Sequence, residues 1–206
     1  MTSADAASRR RRREAPRKGD LREQAILDAA EEQLGTQTLD RMTVESIARG
    51  AGITRNALYF YFASKQDVLT ALVRRTVEQV ANDAASTAAD TGTEPAERIV
   101  RAVHNTERHW IQHGVVMRAA VELGAVIPEI GAMWTETVER YITVTTEVML
   151  SGGLSAEGPG SAEDVARALC WMTERNFYYA SAGEGGEDAL RHTSDVCIGI
   201  WLRMLP

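Results

Sequence analysis

The sequence predicts an all-α protein: an N-terminal domain of three short helices, then a larger domain of six. Three observations carry this. Apolar residues recur at helical spacing along nearly the whole chain after residue 20. Glycine, proline and small polar residues interrupt that pattern at Gly35, 50–52, 87–93, Gly114, 151–160 and 183–186. No stretch alternates apolar and polar residues with the period of a half-buried strand.

The elements follow in order. Residues 1–20 hold seven basic side chains, Arg9 to Arg13 in one run, and no Val, Ile, Leu, Phe, Trp or Tyr. Such a segment buries too little to offset its ordering entropy, so a disordered basic arm is expected, a solubilising tail or a contact for a polyanion. Asp20 is placed to cap a first helix over 21–34, with Ala25, Ile26, Ala29, Ala30 and Leu34 at helical spacing and Gly35 at its end. Thr43 caps a short second helix bearing Val44, Ile47 and Ala48, which Gly50-Ala51-Gly52 breaks. Thr54 caps a third, to about Tyr61. Ser64 caps a long fourth helix over 65–85, with Val68, Leu69, Leu72, Val73, Val77 and Val80 on its apolar side. A fifth covers 94–112 and, beyond Gly114, a sixth covers 115–123. Pro128 opens a seventh that ends near Leu150. The segment 151–160, with four glycines and a proline, is a loop. Ser161 with Asp164 three residues on starts an eighth helix to about Ala182, and a ninth covers 187–205.

Composition narrows the function. Apolar residues at 44% and charged residues at 25% belong to a soluble globular chain. No apolar run is long enough to cross a bilayer, and the basic start lacks the apolar core of a secretory signal. Cys170 and Cys197 lack metal-ligand spacing and read as reduced thiols of a cytoplasmic protein. The net charge of −6 is uneven: residues 1–75 carry 14 basic against 10 acidic groups, residues 76–206 carry 9 against 19. A basic end on an acidic body places a polyanion at one end only.

The most informative stretch is 43–65. Two short helices joined by a tight turn need a small residue where they touch, a glycine free to take positive φ, and apolar residues that fix their angle. Ala48, Gly52 and the set Val44, Ile47, Ile53 and Leu58 meet these needs. The second helix then presents Thr54, Arg55 and Asn56 at its start, where a helix-turn-helix meets base edges in the major groove. Arg pairs with guanine and Asn with adenine. Tyr59, Tyr61 and Lys65 follow as donors suited to phosphate oxygens, and Thr43 stands at the start of the preceding helix. Phe62 reads as core.

At these residues the sequence resembles the tetracycline-repressor (TetR) family of bacterial transcription factors. The stretch Ile47-Ala48-Arg49-Gly50-Ala51-Gly52-Ile53-Thr54 is similar to the first half of the family motif, and Leu58-Tyr59-Phe60-Tyr61-Phe62-Ala63-Ser64-Lys65 to its second half. The resemblance implies a homodimer on a palindromic double-stranded DNA operator, and a C-terminal domain whose small-molecule effector alters DNA affinity. It implies a helix-turn-helix DNA-binding domain over 21–66 and an effector-binding and dimerisation domain over 67–206. Met172-Thr173-Glu174-Arg175, Ala180-Ser181-Ala182-Gly183-Glu184 and Ile200-Trp201 resemble one mycobacterial branch of the family. Trp134, Tyr141 and Thr145 fall where that branch has aromatic and Thr residues beside its ligand channel. Cys170 and Thr173 stand where it has two asparagines, so a similar channel with a different ligand is expected.

The residues read the same way beside the resemblance. Trp110, Trp134, Tyr141, Trp171, Phe177, Tyr178 and Trp201 have spacing suited to a core, yet so many rings among small neighbours favour a lined cavity. The expected ligand set is Trp110, Met117, Trp134, Tyr141, Thr145, Cys170, Thr173, Phe177, Tyr178 and Trp201, for a small hydrophobic effector. His109 and His113 stand i, i+4 at zinc-ligand spacing, but no third ligand of the right type follows nearby, so neither metal nor cofactor is expected. Glu174-Arg175 reads as a buried or interface ion pair. Two other classes fit less well: an enzyme acting on a hydrophobic substrate, for which the sequence offers no nucleophile–base pattern, and an architectural DNA-binding protein, which leaves the acidic body without a purpose. The last two helices, apolar on more than one side, are expected to form the dimer contact.

Overall fold

The computed structural model describes residues 18–88 and 92–206; the arm assigned to 1–20 lies outside them apart from its last three residues. Among the described residues the regular structure is entirely helical: α1 (Lys18–Thr36), a 3-10 turn (Leu39–Arg41), α2 (Val44–Gly50), α3 (Arg55–Leu58), α4 (Lys65–Ala88), α5 (Pro95–Gly124), α6 (Pro128–Ser151), α7 (Ala162–Ala182) and α8 (Gly186–Leu202). The expected fifth and sixth helices follow one another within α5, separated by a kink at His113, whose φ of −127° and ψ of 16° are not helical. The kink falls at the expected boundary beside Gly114, so α5 holds the two expected helices as one kinked run. Three other boundaries shift. Gly35 lies inside α1, whose last turn is closed by Gln37 N–H donating to Gln33 O and by the Thr36 hydroxyl donating to Glu32 O. α3 is regular only to Leu58, with turn-type bonds carrying the chain through Phe62. α8 stops at Leu202, not 205.

The chain divides into two compact units with the boundary between Leu72 and Val73, inside α4. In the first unit Ile26, Leu27 and Ala30 of α1 are buried with Met42, Ile47, Ala48, Leu58, Phe62, Val68 and Leu72. Full burial of such a side chain contributes about 1.5–3 kcal/mol, which is what fixes helices as short as α2 and α3. α1 and α2 approach closely at Gly50, where a Cβ would stand 3.1 Å from the Ala29 Cβ. Gly52 takes φ +65°, the left-handed turn between α2 and α3 that only glycine adopts freely. The expected caps are present. The Thr43 hydroxyl accepts from Ser46 N–H while the Ser46 hydroxyl accepts from Thr43 N–H, each at 3.0 Å. Thr54 accepts from Ala57 N–H, and Ser64 from Asp67 N–H, at 3.1 Å each.

In the second unit α5 packs against α6, α7 and α8, and α7 against α6 and α8. The α5–α6 corner depends on a glycine pair: a Cβ on Gly131 would stand 2.6 Å from the Gly124 carbonyl oxygen. Phe177, Ile130, Ile142, Met149 and Val116 are fully buried. Ser161 caps α7 by accepting from Asp164 N–H at 3.3 Å. No described helix is long and apolar enough to cross a membrane.

Candidate functional site

The two units present two separate arrangements. In the first, the cap on Thr54 starts α3 so that Thr54, Arg55, Asn56, Tyr59 and Tyr61 are all exposed, while Leu58 and Phe62 between them are buried as anchors. Arg55 is held in place. Its guanidinium pairs with Glu45 of α2 at 2.5 Å, donates to the Tyr59 hydroxyl at 3.1 Å, and lies over the Tyr59 ring. The Tyr59 hydroxyl first and the Glu45 carboxylate second favour its charged form. Thr43 and Thr54 spend their hydroxyl oxygens on helix caps. Lys65 is half-buried and donates to the Leu39 carbonyl at 2.9 Å, so it ties α4 to the 3-10 turn.

Sequence reasoning missed three residues on this face. Phe60 is 89% exposed, the most exposed large apolar side chain described. Arg22 of α1 and Arg49 of α2 border a surface depression shared with Gly52, Thr54 and Tyr61. Their basicity was legible; their placement beside α3 comes only from the packing of α1 on α2.

In the second unit a cavity of about 90 Å³ is lined by residues of α4 to α8. Eight of the ten expected ligand residues line it: Trp110, Met117, Trp134, Tyr141, Thr145, Cys170, Thr173 and Trp201. Two do not. Phe177 is wholly buried and stacks on Trp110, with ring centroids 6.5 Å apart. Tyr178 points elsewhere, its hydroxyl 3.4 Å from a Glu122 oxygen and its ring under Arg175. Trp171 is also outside the lining. The wall gains residues the sequence reading left out, among them Val80, Ile99, Val103, Thr106, His109, Thr137, Val138 and Glu174.

Polar groups of the wall are few and mostly tied. Trp201 Nε1 donates to Thr173 Oγ1 at 2.9 Å, and Tyr141 OH donates to the Val80 carbonyl at 3.3 Å. Trp134 Nε1 donates to Glu174 Oε1 at 3.2 Å. The Cys170 thiol faces Thr145 Oγ1 at 3.9 Å, and burial pushes it up to about 12, so it stays protonated. Burial likewise raises the Glu174 carboxyl, against a smaller opposing effect of Arg175. Trp110 meets Trp134 edge to face at 6.3 Å. Small-ligand pockets enclose roughly 300–1,000 Å³, so this cavity is smaller than most.

Known proteins resemble this chain throughout its length. Residues 26–72 match the family described as bacterial regulatory proteins, tetR family, and residues 99–205 match the family described as transcriptional regulator EthR, C-terminal domain. The HTH-type transcriptional regulator EthR of Mycobacterium tuberculosis is 32% identical over 205 residues, covering 97% of this chain and 94% of that protein. EthR of Mycolicibacterium smegmatis is 28% identical, covering 99% and 95%. Among solved structures, a transcriptional regulator from a Rhodococcus species superposes with a TM-score of 0.71 at 17% identity, covering 88% of this chain and 96% of that one. The regulator FadR of Bacillus subtilis in complex with stearoyl-CoA gives a TM-score of 0.69 at 17% identity, covering 88% and 97%.

Proposed function

The chain belongs to the TetR family of bacterial regulatory proteins, and from that premise we propose that it is a ligand-responsive repressor of transcription. In this reading residues 21–66 bind a palindromic operator, residues 67–206 dimerise and bind a small hydrophobic effector, and effector binding releases the DNA in the cytoplasm. Arg55 and Asn56 read base edges, while Tyr59, Tyr61 and Lys65 contact phosphates. Thr43 and Thr54 hold the two helix starts at the backbone.

The observation that carries the effector half is the aromatic wall of Trp110, Trp134, Tyr141 and Trp201 around a cavity inside the helical body. The DNA half is supported by the capped, exposed start of α3 beside two further arginines. Dimerisation through α7 and α8 is supported by Tyr179, 67% exposed, and by Val196 and Leu202, apolar side chains left facing outward on these helices. Two-fold pairing of such faces buries them and sets two reading helices at a multiple of about 34–36 Å, one turn of duplex.

Footprinting on the DNA upstream of the protein's own gene tests the reading. A discrete palindrome protected by a dimer is expected. Uniform coverage, or protection by a monomer in light scattering at micromolar concentration, would sink it.

A further inference from the structure

The cavity wall is mostly apolar, and among its polar groups it carries one carboxyl group that a plain hydrocarbon ligand has no use for. Glu174 is the single carboxylate among the lining residues and is 7% exposed. Its Oε1 accepts the Trp134 Nε1–H at 3.2 Å. Its Oε2 is buried and accepts no hydrogen bond; the Arg175 Nε lies 3.5 Å away, at ion-pair distance, on a side chain half exposed to solvent. A carboxylate offers about four acceptor positions, and here one is filled. Leaving a buried acceptor unsatisfied costs about 1–3 kcal/mol, more when the group is charged. Nothing on the wall itself supplies the missing donor: Trp201 Nε1 is committed to Thr173, and Tyr141 OH to Val80.

The surroundings suit a cation. Trp110, Trp134, Tyr141 and Trp201 bring four aromatic rings to the lining, and ring faces attract an ammonium group by about 0.5–2 kcal/mol, most strongly when it is desolvated. An acidic ligand would instead bring a second negative charge to Glu174, which like-charge repulsion in a low dielectric disfavours. The other titratable groups of the lining are His109, Tyr141 and Cys170, and burial keeps the Cys170 thiol neutral.

Resting on the reading of this cavity as the effector site, we propose that the effector is a lipophilic amine, its ammonium bonded to Glu174 and its apolar arm among Trp110, Trp134, Tyr141 and Trp201. Arg175 competes with that ammonium from the solvent side and so weakens the preference for a cation. Glu174 thereby sets the class of ligand, and the aromatic wall sets its shape.

The test uses three compounds of one skeleton, 4-phenylbutylamine, 4-phenylbutanol and 4-phenylbutyrate, titrated into the full-length protein at neutral pH. Tryptophan fluorescence reports binding, and release of the upstream DNA fragment reports the response. The amine is expected to bind about tenfold tighter than the alcohol, the size of one charge-assisted hydrogen bond, with the acid weakest. In Glu174→Gln the amine-to-alcohol ratio should fall to near one. In Arg175→Ala, a change at a half-exposed residue that keeps the test alive if Glu174→Gln folds poorly, the ratio should rise. Equal binding of the three compounds, or an amine preference that survives Glu174→Gln, overturns the inference and leaves the effector-site reading standing. Binding of none of them overturns both.

Discussion

At the scale of single residues, Arg55 and Lys65 are both basic and close in sequence but do different things. Arg55 is exposed and held by Glu45 and Tyr59, and in the proposed reading it meets a base edge. Arg55→Ala is expected to cost about 1–3 kcal/mol, mainly at one base pair of each half-site. Lys65 bonds the Leu39 carbonyl, so Lys65→Ala should weaken binding to all sequences alike, flatten the salt dependence and also lower the melting temperature. Titrations of operator variants at several salt concentrations separate the two; a changed base preference in Lys65→Ala would reverse the assignment. Glu174 gives a third expectation, from the sign of its shift. Its folded-state pKa is raised, chiefly by burial, so the folded protein holds this proton more tightly than the unfolded chain. The stability it contributes is present below the ordinary Glu range and lost as pH rises through the raised value. Glu174→Gln should therefore gain more stability relative to wild type at about pH 7.5 than at about pH 4.5. Melting curves of both proteins at both pH values check this.

At the scale of elements, what the sequence made legible was local. The caps on Thr43, Thr54, Ser64 and Ser161 were readable because a cap is a bond between a side chain and an amide three residues away. The turn at Gly52 was readable for the same reason. The interruption beside Gly114 was readable too, as the kink at His113 within α5, though a glycine there does not by itself decide whether the chain bends or stops. The cavity was legible in kind but not residue by residue. Thr173 and Phe177 are one turn apart on α7, yet the first lines the cavity and the second is sealed behind a stacked Trp110. That distinction depends on where α5 lies. The sequence shows Glu174 as an ion-pair partner and not as wall, because its hydrogen bond to Trp134 of α6 joins residues 40 apart in the chain. The glycine pair at the α5–α6 corner was not foreseen at all. A methyl group on Gly131 meets the Gly124 carbonyl, backbone that cannot rotate away. Gly131→Ala is expected to destabilise the fold by about 1–3 kcal/mol, read as a lower denaturation midpoint with unchanged slope; wild-type stability would mean that the corner opens freely.

At the scale of the whole molecule, α4 runs through the boundary between the two units: Lys65 opens it, and Val80 on it lines the cavity. In the proposed switch, an effector too large for about 90 Å³ displaces the helices around it, α4 included. The two reading helices of the dimer then no longer match the half-site spacing. A ligand shifts such an equilibrium only by its differential affinity for the two states, typically about 1–3 kcal/mol, or about 5–150-fold. Graded release is therefore expected, not abrupt loss. Filling the cavity from within tests this without any ligand. Thr173 is buried on the wall and accepts from Trp201, so Thr173→Trp places an indole where the effector would lie and frees the Trp201 N–H. Operator affinity should fall within that range, and overpacking should lower stability by about 1–3 kcal/mol without unfolding the protein. Instability alone could also weaken DNA binding, and Ser161→Ala controls for it. That change removes the α7 cap at a comparable cost of about 1 kcal/mol and leaves the lining intact. Both variants are titrated with one DNA fragment at one salt concentration, beside melting curves. Weak binding by Thr173→Trp together with normal binding by Ser161→Ala ties the loss to the cavity. If Thr173→Trp binds DNA as wild type and still responds to 4-phenylbutylamine, the site that controls DNA affinity lies elsewhere in the protein.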